Sequence, residues 1–197
     1  MKTLVSCLLM TFAACAAWGQ SYDMGQIETK LEKEYFKDKN GKIINWLMYE
    51  SLRWANANAP EPDISVSPDG RDGAKCMRIK CPETGLYAVY LTLETPKPAS
   101  DYILKFWAKS LLPGSKTQVL YELRGSKHYY KSQDIILTSD WKLHEVVIQI
   151  PKLGSEYYQE GKTHDFRFRL WSTVQGSAAS DFLGGDVSFK YEGPSCE

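Results

Sequence analysis

The chain has no surplus charge of either sign, since 24 Lys and Arg stand against 24 Asp and Glu in 197 residues. It therefore generates no long-range attraction for nucleic acid or anionic lipid, and a polyanion would have to be held by a local basic cluster. Histidine is scarce. His128, His144 and His164 lack metal-ligand spacing, and no Gly-x-Ser-x-Gly, paired-cysteine or phosphate-cradling motif occurs. His164-Asp165 reads as turn chemistry beside a strand start rather than as a catalytic dyad. With no catalytic motif, a non-enzymatic role is expected. Glycoside hydrolysis stays open, because its two carboxylates need only be close in space. Internal repeats and low-complexity tracts are also missing. After Gly19 no apolar run approaches the roughly 20 residues of a membrane span.

What is present begins with an address. Met1-Lys2 supplies a short positive region, Leu4 to Ala17 an apolar run, and Ala17-Trp18-Gly19 the small residues a signal peptidase reads. Residues 1–19 are expected to be a signal peptide, Gln20 the first mature residue and the product secreted. Phe12-Ala13-Ala14-Cys15 offers an alternative as a loose lipobox, which would make a surface lipoprotein anchored through Cys15, although Phe stands where an aliphatic residue is usual. Removing 19 residues leaves 178, with 23 basic and 24 acidic side chains. That length suits one domain, expected to be monomeric. Cys7 and Cys15 leave with the signal, so Cys76, Cys81 and Cys196 meet an oxidising compartment. Cys76 and Cys81 read as one strand, which would hold them about 16 Å apart and beyond disulfide reach. Either Cys196 pairs with one of them or all three are reduced.

Residues 20–42 are highly charged. Ile27, Leu31 and Tyr35 recur every four residues, which suggests either a short helix with a narrow apolar stripe or an irregular arm, ending at the turn signal Asp38-Lys39-Asn40-Gly41. From residue 43 to 197 the texture changes to short segments rich in Val, Ile, Tyr, Phe and Trp, separated by Gly, Pro, Asn and Asp. That pattern predicts an all-β domain, a two-sheet antiparallel β-sandwich. Strands are expected near 43–50, 63–66, 74–81, 86–94, 101–110, 117–124, 133–137, 141–150, 164–171 and 185–191.

Alternation assigns faces to these strands. Met77, Ile79, Val89, Leu91, Leu93, Leu104, Phe106, Val119, Tyr121 and Leu123 form the apolar sets of the first half. Val146, Ile148, Ile150, Phe166, Phe168, Leu170, Val187 and Phe189 complete the expected core. The opposite faces carry Tyr90, Lys105, Trp107, Glu122, Arg124, Arg167, Arg169 and Trp171. If these strands are neighbours, that second set is one continuous surface of indoles, cations and a carboxylate.

Five segments carry a resemblance: 73–79 (GAKCMRI), 102–110 (YILKFWAKS), 137–141 (LTSDW), 166–170 (FRFRL) and 185–189 (GDVSF). In order and spacing they resemble the carbohydrate-binding modules of families four, nine and twenty-two, over roughly residues 43 to 191. The resemblance implies a galactose-binding-like jelly roll whose concave sheet face holds a polysaccharide or glycan. The physics of such a site is general. The C–H face of a pyranose packs on an aromatic ring, and its hydroxyls need hydrogen-bond partners once desolvated. Arg can bridge adjacent hydroxyls or grip a uronate or sulfate. Trp107 and Trp171 are the platform candidates, with Tyr90 and Tyr130 behind them, and Glu122, Arg124, Arg167 and Arg169 form the hydrogen-bonding group. Each has a bland alternative: Trp107 packed beneath a loop, or Arg167 and Arg169 on a solvated face paired with acids. No cofactor is required. The resemblance also implies a structural calcium, for which Glu50 and Asp186 are the candidate ligands, although Gly185 stands where the family often has another Asp. Such modules usually accompany a catalytic domain and none is evident here. The competing role is therefore a structural or adhesion sandwich that binds a protein partner through its exposed aromatics, and a small polysaccharide lyase or hydrolase on the same sandwich comes third.

Overall fold

The computed structural model describes residues 21–24, 26–30, 33–37, 43–51, 58–92, 97–124, 127, 129–160, 165–173 and 178–194, with side chains for 58–89, 97–123, 127, 129–160, 169–173 and 178–194. Residues 1–19, expected to be a signal peptide, and with them Cys15, lie outside these residues, as does Cys196. The strands are β1 (Ser21–Met24), β2 (Gln26–Lys30), β3 (Lys33–Lys37), β4 (Ile43–Ser51), β5 (Asp63–Ser67), β6 (Cys76–Cys81), β7 (Tyr87–Thr92), β8 (Ser100–Ser110), β9 (Lys116–Arg124), β10 (Tyr129–Ile136), β11 (Lys142–Ile150), β12 (Asp165–Ser172) and β13 (Ser180–Pro194). Among the described residues the only helical element is a single 3-10 turn at Arg71–Gly73.

All ten strands expected from alternation are present. Two begin earlier than their apolar pattern: β10 starts in the polar run Tyr129 to Ser132, and β13 starts at Ser180 rather than at Gly185. Both gain ladder partners there, β10 along β9 and β13 along β6 and β8. The charged segment 20–42 differs in kind, because its described residues 21–24, 26–30 and 33–37 form three strands and not a helix. Ile27 and Tyr35 of the four-residue recurrence lie in β2 and β3, which pair antiparallel with Ile27 opposite Phe36 and Glu28 opposite Tyr35, and Leu31 lies outside the described residues.

Every pairing is antiparallel. One sheet runs β11-β8-β13-β6-β5, with β1 also on β13; the other runs β10-β9-β12-β7-β4-β3-β2. β8 has one neighbour on each side, β11 and β13, and alternates without a break: Tyr102, Leu104, Phe106 and Ala108 are buried, while Ile103, Lys105, Trp107 and Lys109 are partly exposed. The buried sets of both sheets interdigitate as one core. It holds Met77, Ile79, Leu104, Phe106, Val146, Ile148, Val187 and Phe189 from the first sheet, and Tyr87, Val89, Val119, Tyr121, Leu123 and Leu170 from the second. Each large apolar side chain so buried contributes roughly 1.5 to 3 kcal/mol. Leu91, Leu93, Phe166 and Phe168 have no described side chains.

Polar groups inside the sandwich are tied to the backbone. The Tyr87 hydroxyl donates to Thr117 Oγ1 at 3.2 Å, and Thr117 in turn donates to the Ser172 carbonyl at 3.3 Å, linking β7, β9 and β12. At the side where β10 and β11 form the sheet edges, the Gln149 amide donates to the Tyr121 hydroxyl at 3.3 Å and joins the two sheets. Cys76 and Cys81, at the two ends of β6, are buried free thiols. Burial pushes each thiol up to about 11, with Asp69 adding to the shift at Cys76.

Candidate functional site

The proposed platform does not assemble. Trp171 is fully buried between the sheets, edge-on to Phe106 at 6.0 Å and to Phe182 at 6.3 Å. Alternation from Arg167 and Arg169 had placed it on the opposite face, and the reason it is inside is a β-bulge. Between Arg169 and Ser172, β12 advances three residues while β9 advances only two, from Leu120 to Gln118. The extra residue reverses the parity, so Leu170 and Trp171, consecutive in sequence, both enter the core. Gly184 makes room for the indole.

Trp107 is on the other sheet from the remaining candidates. It lies on the outward side of β8, opposite Leu143 of β11 and Gly185 of β13. One face of its ring is already taken: the Arg71 guanidinium sits 4.4 Å from the ring centroid. Arg71 is held there by Asp186, with Nε and Nη2 at 3.0 and 2.9 Å from Oδ2. Asp186 therefore serves as an ion-pair partner, at a β13 bulge where its φ is +48°. Glu50 is in β4 of the second sheet, opposite Ala88, and its side chain is outside the described set. The two calcium candidates thus belong to different sheets, and among the described residues no group of three His, Cys, Asp or Glu could hold a metal ion.

The other six candidates do come together. In the second sheet the register aligns Tyr130 with Glu122 and Glu122 with Arg167 in one row. The next row runs Ser132, Leu120, Arg169, Tyr90 and Met48. A third runs Asp134, Gln118, Ser172, Ala88 and Glu50, with Gln118 Nε2 donating to Asp134 Oδ1 at 2.9 Å. Arg124, opposite Asp165, continues the same face beyond Glu122. The side chains of Tyr90, Arg124 and Arg167 are outside the described set, so they are placed by register alone.

This face mixes accessible and enclosed groups. Tyr130 is 51% exposed, whereas Glu122 is 3% exposed and Leu120 and Ala88 are buried beside it. A carboxylate so enclosed costs several kcal/mol unless its oxygens are bonded. Arg167, opposite it in the same row, and Arg169, in the next row of the same neighbouring strand, are placed for that task. Chemically the face offers a phenol ring at its β10 edge, then carboxylate, guanidinium, hydroxyl and amide groups within two or three strand spacings.

Sequence reading missed Trp46 and Tyr35, which occupy paired register positions in β4 and β3, two residues from Met48 and on the same face as Tyr90. Both parities of Ile43–Ser51 are apolar, so alternation alone had no means of choosing the inward one. Ser132 and Asp134 were missed because β10 carries little apolar signal, and Gln118 of β9 because an amide beside Val119 has no signal of its own.

No family model matches the chain, and no curated protein matches it. Solved structures do. The CBM22-1 xylan-binding domain from Paenibacillus barcinonensis Xyn10C aligns with a TM-score of 0.51 at 8% identity, covering 90% of this chain and 95% of that one. The family 11 carbohydrate-binding module of the cellulosomal cellulase Lic26A-Cel5E of Clostridium thermocellum aligns with a TM-score of 0.50 at 13% identity, covering 86% and 99%. The Clostridium thermocellum xylanase 10B chain with CBM22-1 and GH10 modules matches at a TM-score of 0.47 and 13% identity over 67% of this chain, which spans only 25% of that longer one. The fold is thus the jelly-roll β-sandwich found in carbohydrate-binding modules.

Proposed function

We propose that the protein is secreted and binds a polysaccharide or glycan without catalysing its breakdown, on the outward face of the second sheet. The observation that carries this reading is the alignment of Tyr130, Glu122, Arg167, Arg169 and Tyr90 in two adjacent register rows. An exposed phenol can pack on a sugar ring while guanidinium groups, held in place beside the enclosed Glu122 carboxylate, bond the hydroxyls it leaves desolvated. The shared fold supports the reading, since the two structures aligned over nearly their whole length above are named as a xylan-binding domain and a carbohydrate-binding module. Trp107 and Trp171 have no part in it.

A glycan array probed with the mature protein tests the proposal, with Tyr130→Ala and Arg169→Ala compared against the parent. Each variant is expected to weaken binding about tenfold, on the order of one aromatic contact or one charged hydrogen bond. Unchanged binding in both would remove the site, and binding to no glycan would remove the function.

A second reading rests on the outward face of the first sheet. Leu143 and Val147 are 42% and 50% exposed there, opposite Trp107 and Ile103. Such a patch suits a protein partner in a structural or adhesion role, and pull-down by a Leu143→Lys variant would separate it from glycan binding.

A further inference from the structure

Where the two sheets meet at the β10 and β11 edges, the loop after β11 brings Tyr157 against Tyr129 at the start of β10. Both rings are half-buried, 5.2 Å apart between centroids with their planes at 60°, so they form a corner. Two ammonium groups stand over it: Lys127 Nζ is 5.4 Å from the Tyr157 centroid and Lys131 Nζ is 5.9 Å from that of Tyr129. The Glu156 carboxylate accepts a 2.6 Å bond from Lys127. That bond, and then one to Tyr157, hold the Glu156 carboxyl below the usual carboxylate range. Lys131 makes no ion pair among the described residues, and so the corner keeps one positive charge in excess of its single carboxylate.

The corner also adjoins the face described above. Tyr130 lies between Tyr129 and Lys131 in sequence, and alternation in β10 sends it to the outward side of the second sheet while its two neighbours stay on the inward side. A glycan chain crossing that sheet over Tyr130 would leave it over the β10 edge and meet the corner next.

We propose that the Tyr129, Tyr157 and Lys131 corner takes an acidic sugar, a uronate or a sulfated residue, of a glycan whose neighbouring residues lie on the second sheet. The proposal rests on the carbohydrate reading and deepens it by naming the chemical class. The tyrosine rings receive the C–H face of the sugar, and Lys131 receives its anionic group in a charge-assisted bond. Glu156 occupies Lys127 in the same way that a ligand carboxylate would.

Titration calorimetry of the mature protein with an oligogalacturonate and with a xylo-oligosaccharide of equal length tests this, at low and at high salt. The acidic chain is expected to bind about threefold to fivefold tighter at low salt, as for an exposed ion pair, and to lose that advantage at high salt. Lys131→Gln should remove the preference for the acidic chain. Glu156→Gln should increase the preference, because it releases Lys127, a gain that a merely structural corner would not show. A sulfated oligosaccharide in place of the oligogalacturonate separates sulfate from carboxylate recognition. Equal binding of acidic and neutral chains, or a preference untouched in Lys131→Gln, overturns this proposal and leaves the wider one standing. Binding of neither chain also overturns this proposal, and the glycan array then decides the wider one.

Discussion

Trp171 lies against Gly184 so closely that a Cβ on the glycine would stand 2.4 Å from the indole Cζ2. The contact crosses the core from β12 of one sheet to β13 of the other. Gly184→Ala is therefore expected to cost about 1 to 3 kcal/mol through overpacking, since the ring is confined by Phe106 and Phe182. Trp171→Ala should cost about 3 to 5 kcal/mol, as deletion of a buried aromatic does. Chemical denaturation of both variants checks these values. A Trp171→Ala protein as stable as the parent would mean that the indole is not in the core.

Trp107 gives the opposite expectation. Its stack with Arg71 is partly exposed, so Trp107→Ala and Arg71→Ala should each lower stability by only about 0.5 to 1 kcal/mol. Neither should alter glycan affinity, because Trp107 is on the first sheet and the aligned polar rows are on the second. Affinity electrophoresis on whichever glycan the array identifies decides this, and a large loss in Trp107→Ala would move the site to the first sheet.

His144 predicts a pH dependence. It is 9% exposed, stacked on Phe106 at 5.4 Å, and burial, followed by the charge of Lys142, holds its imidazole below the usual 6.5. The unfolded chain therefore takes up the proton first as pH falls, and stability should decline from about pH 6.5 down to the folded-state value, with no further loss from this group below it. His144→Leu should flatten that part of the profile. Urea midpoints measured from neutral to mildly acidic pH test it, and an unchanged slope in the variant would assign the dependence to other groups.

The two described thiols should be inert. With burial holding Cys76 and Cys81 near 11, almost no thiolate exists at neutral pH, and neither sulfur is accessible. Iodoacetamide is expected to leave both unmodified in the native protein and to alkylate both in denaturant, as read by peptide mass spectrometry. Native alkylation of Cys76 would show that the 68–75 loop does not cover it.

The fold was legible because period-two alternation is a local property, written in strands such as Tyr102, Leu104, Phe106 and Ala108. Wherever their side chains are described, the residues that alternation assigned to the core are buried. The N-terminal hairpin was less legible. Its spacing of Ile27, Leu31 and Tyr35 satisfies a helix as well as it does two short strands, and pairing with β4 favours strands.

The candidate site was legible only in part. Alternation correctly separated Glu122 and Arg169 from the apolar set, because charged side chains between core residues have one reasonable side. It failed at Trp171, since an indole can serve in a core or on a platform and the bulge after Arg169 carries no unmistakable residue signature.

What the sequence by itself determined is that each strand has two faces and which residues share them, because that follows from backbone geometry one residue at a time. Only the tertiary structure decided how those faces are distributed. It set Trp107 on one sheet and Arg169 on the other, and aligned Tyr130 with Glu122 across β10 and β9. It also drew Trp171 inward, since strand order, register and bulges arise from pairing between segments far apart in the chain.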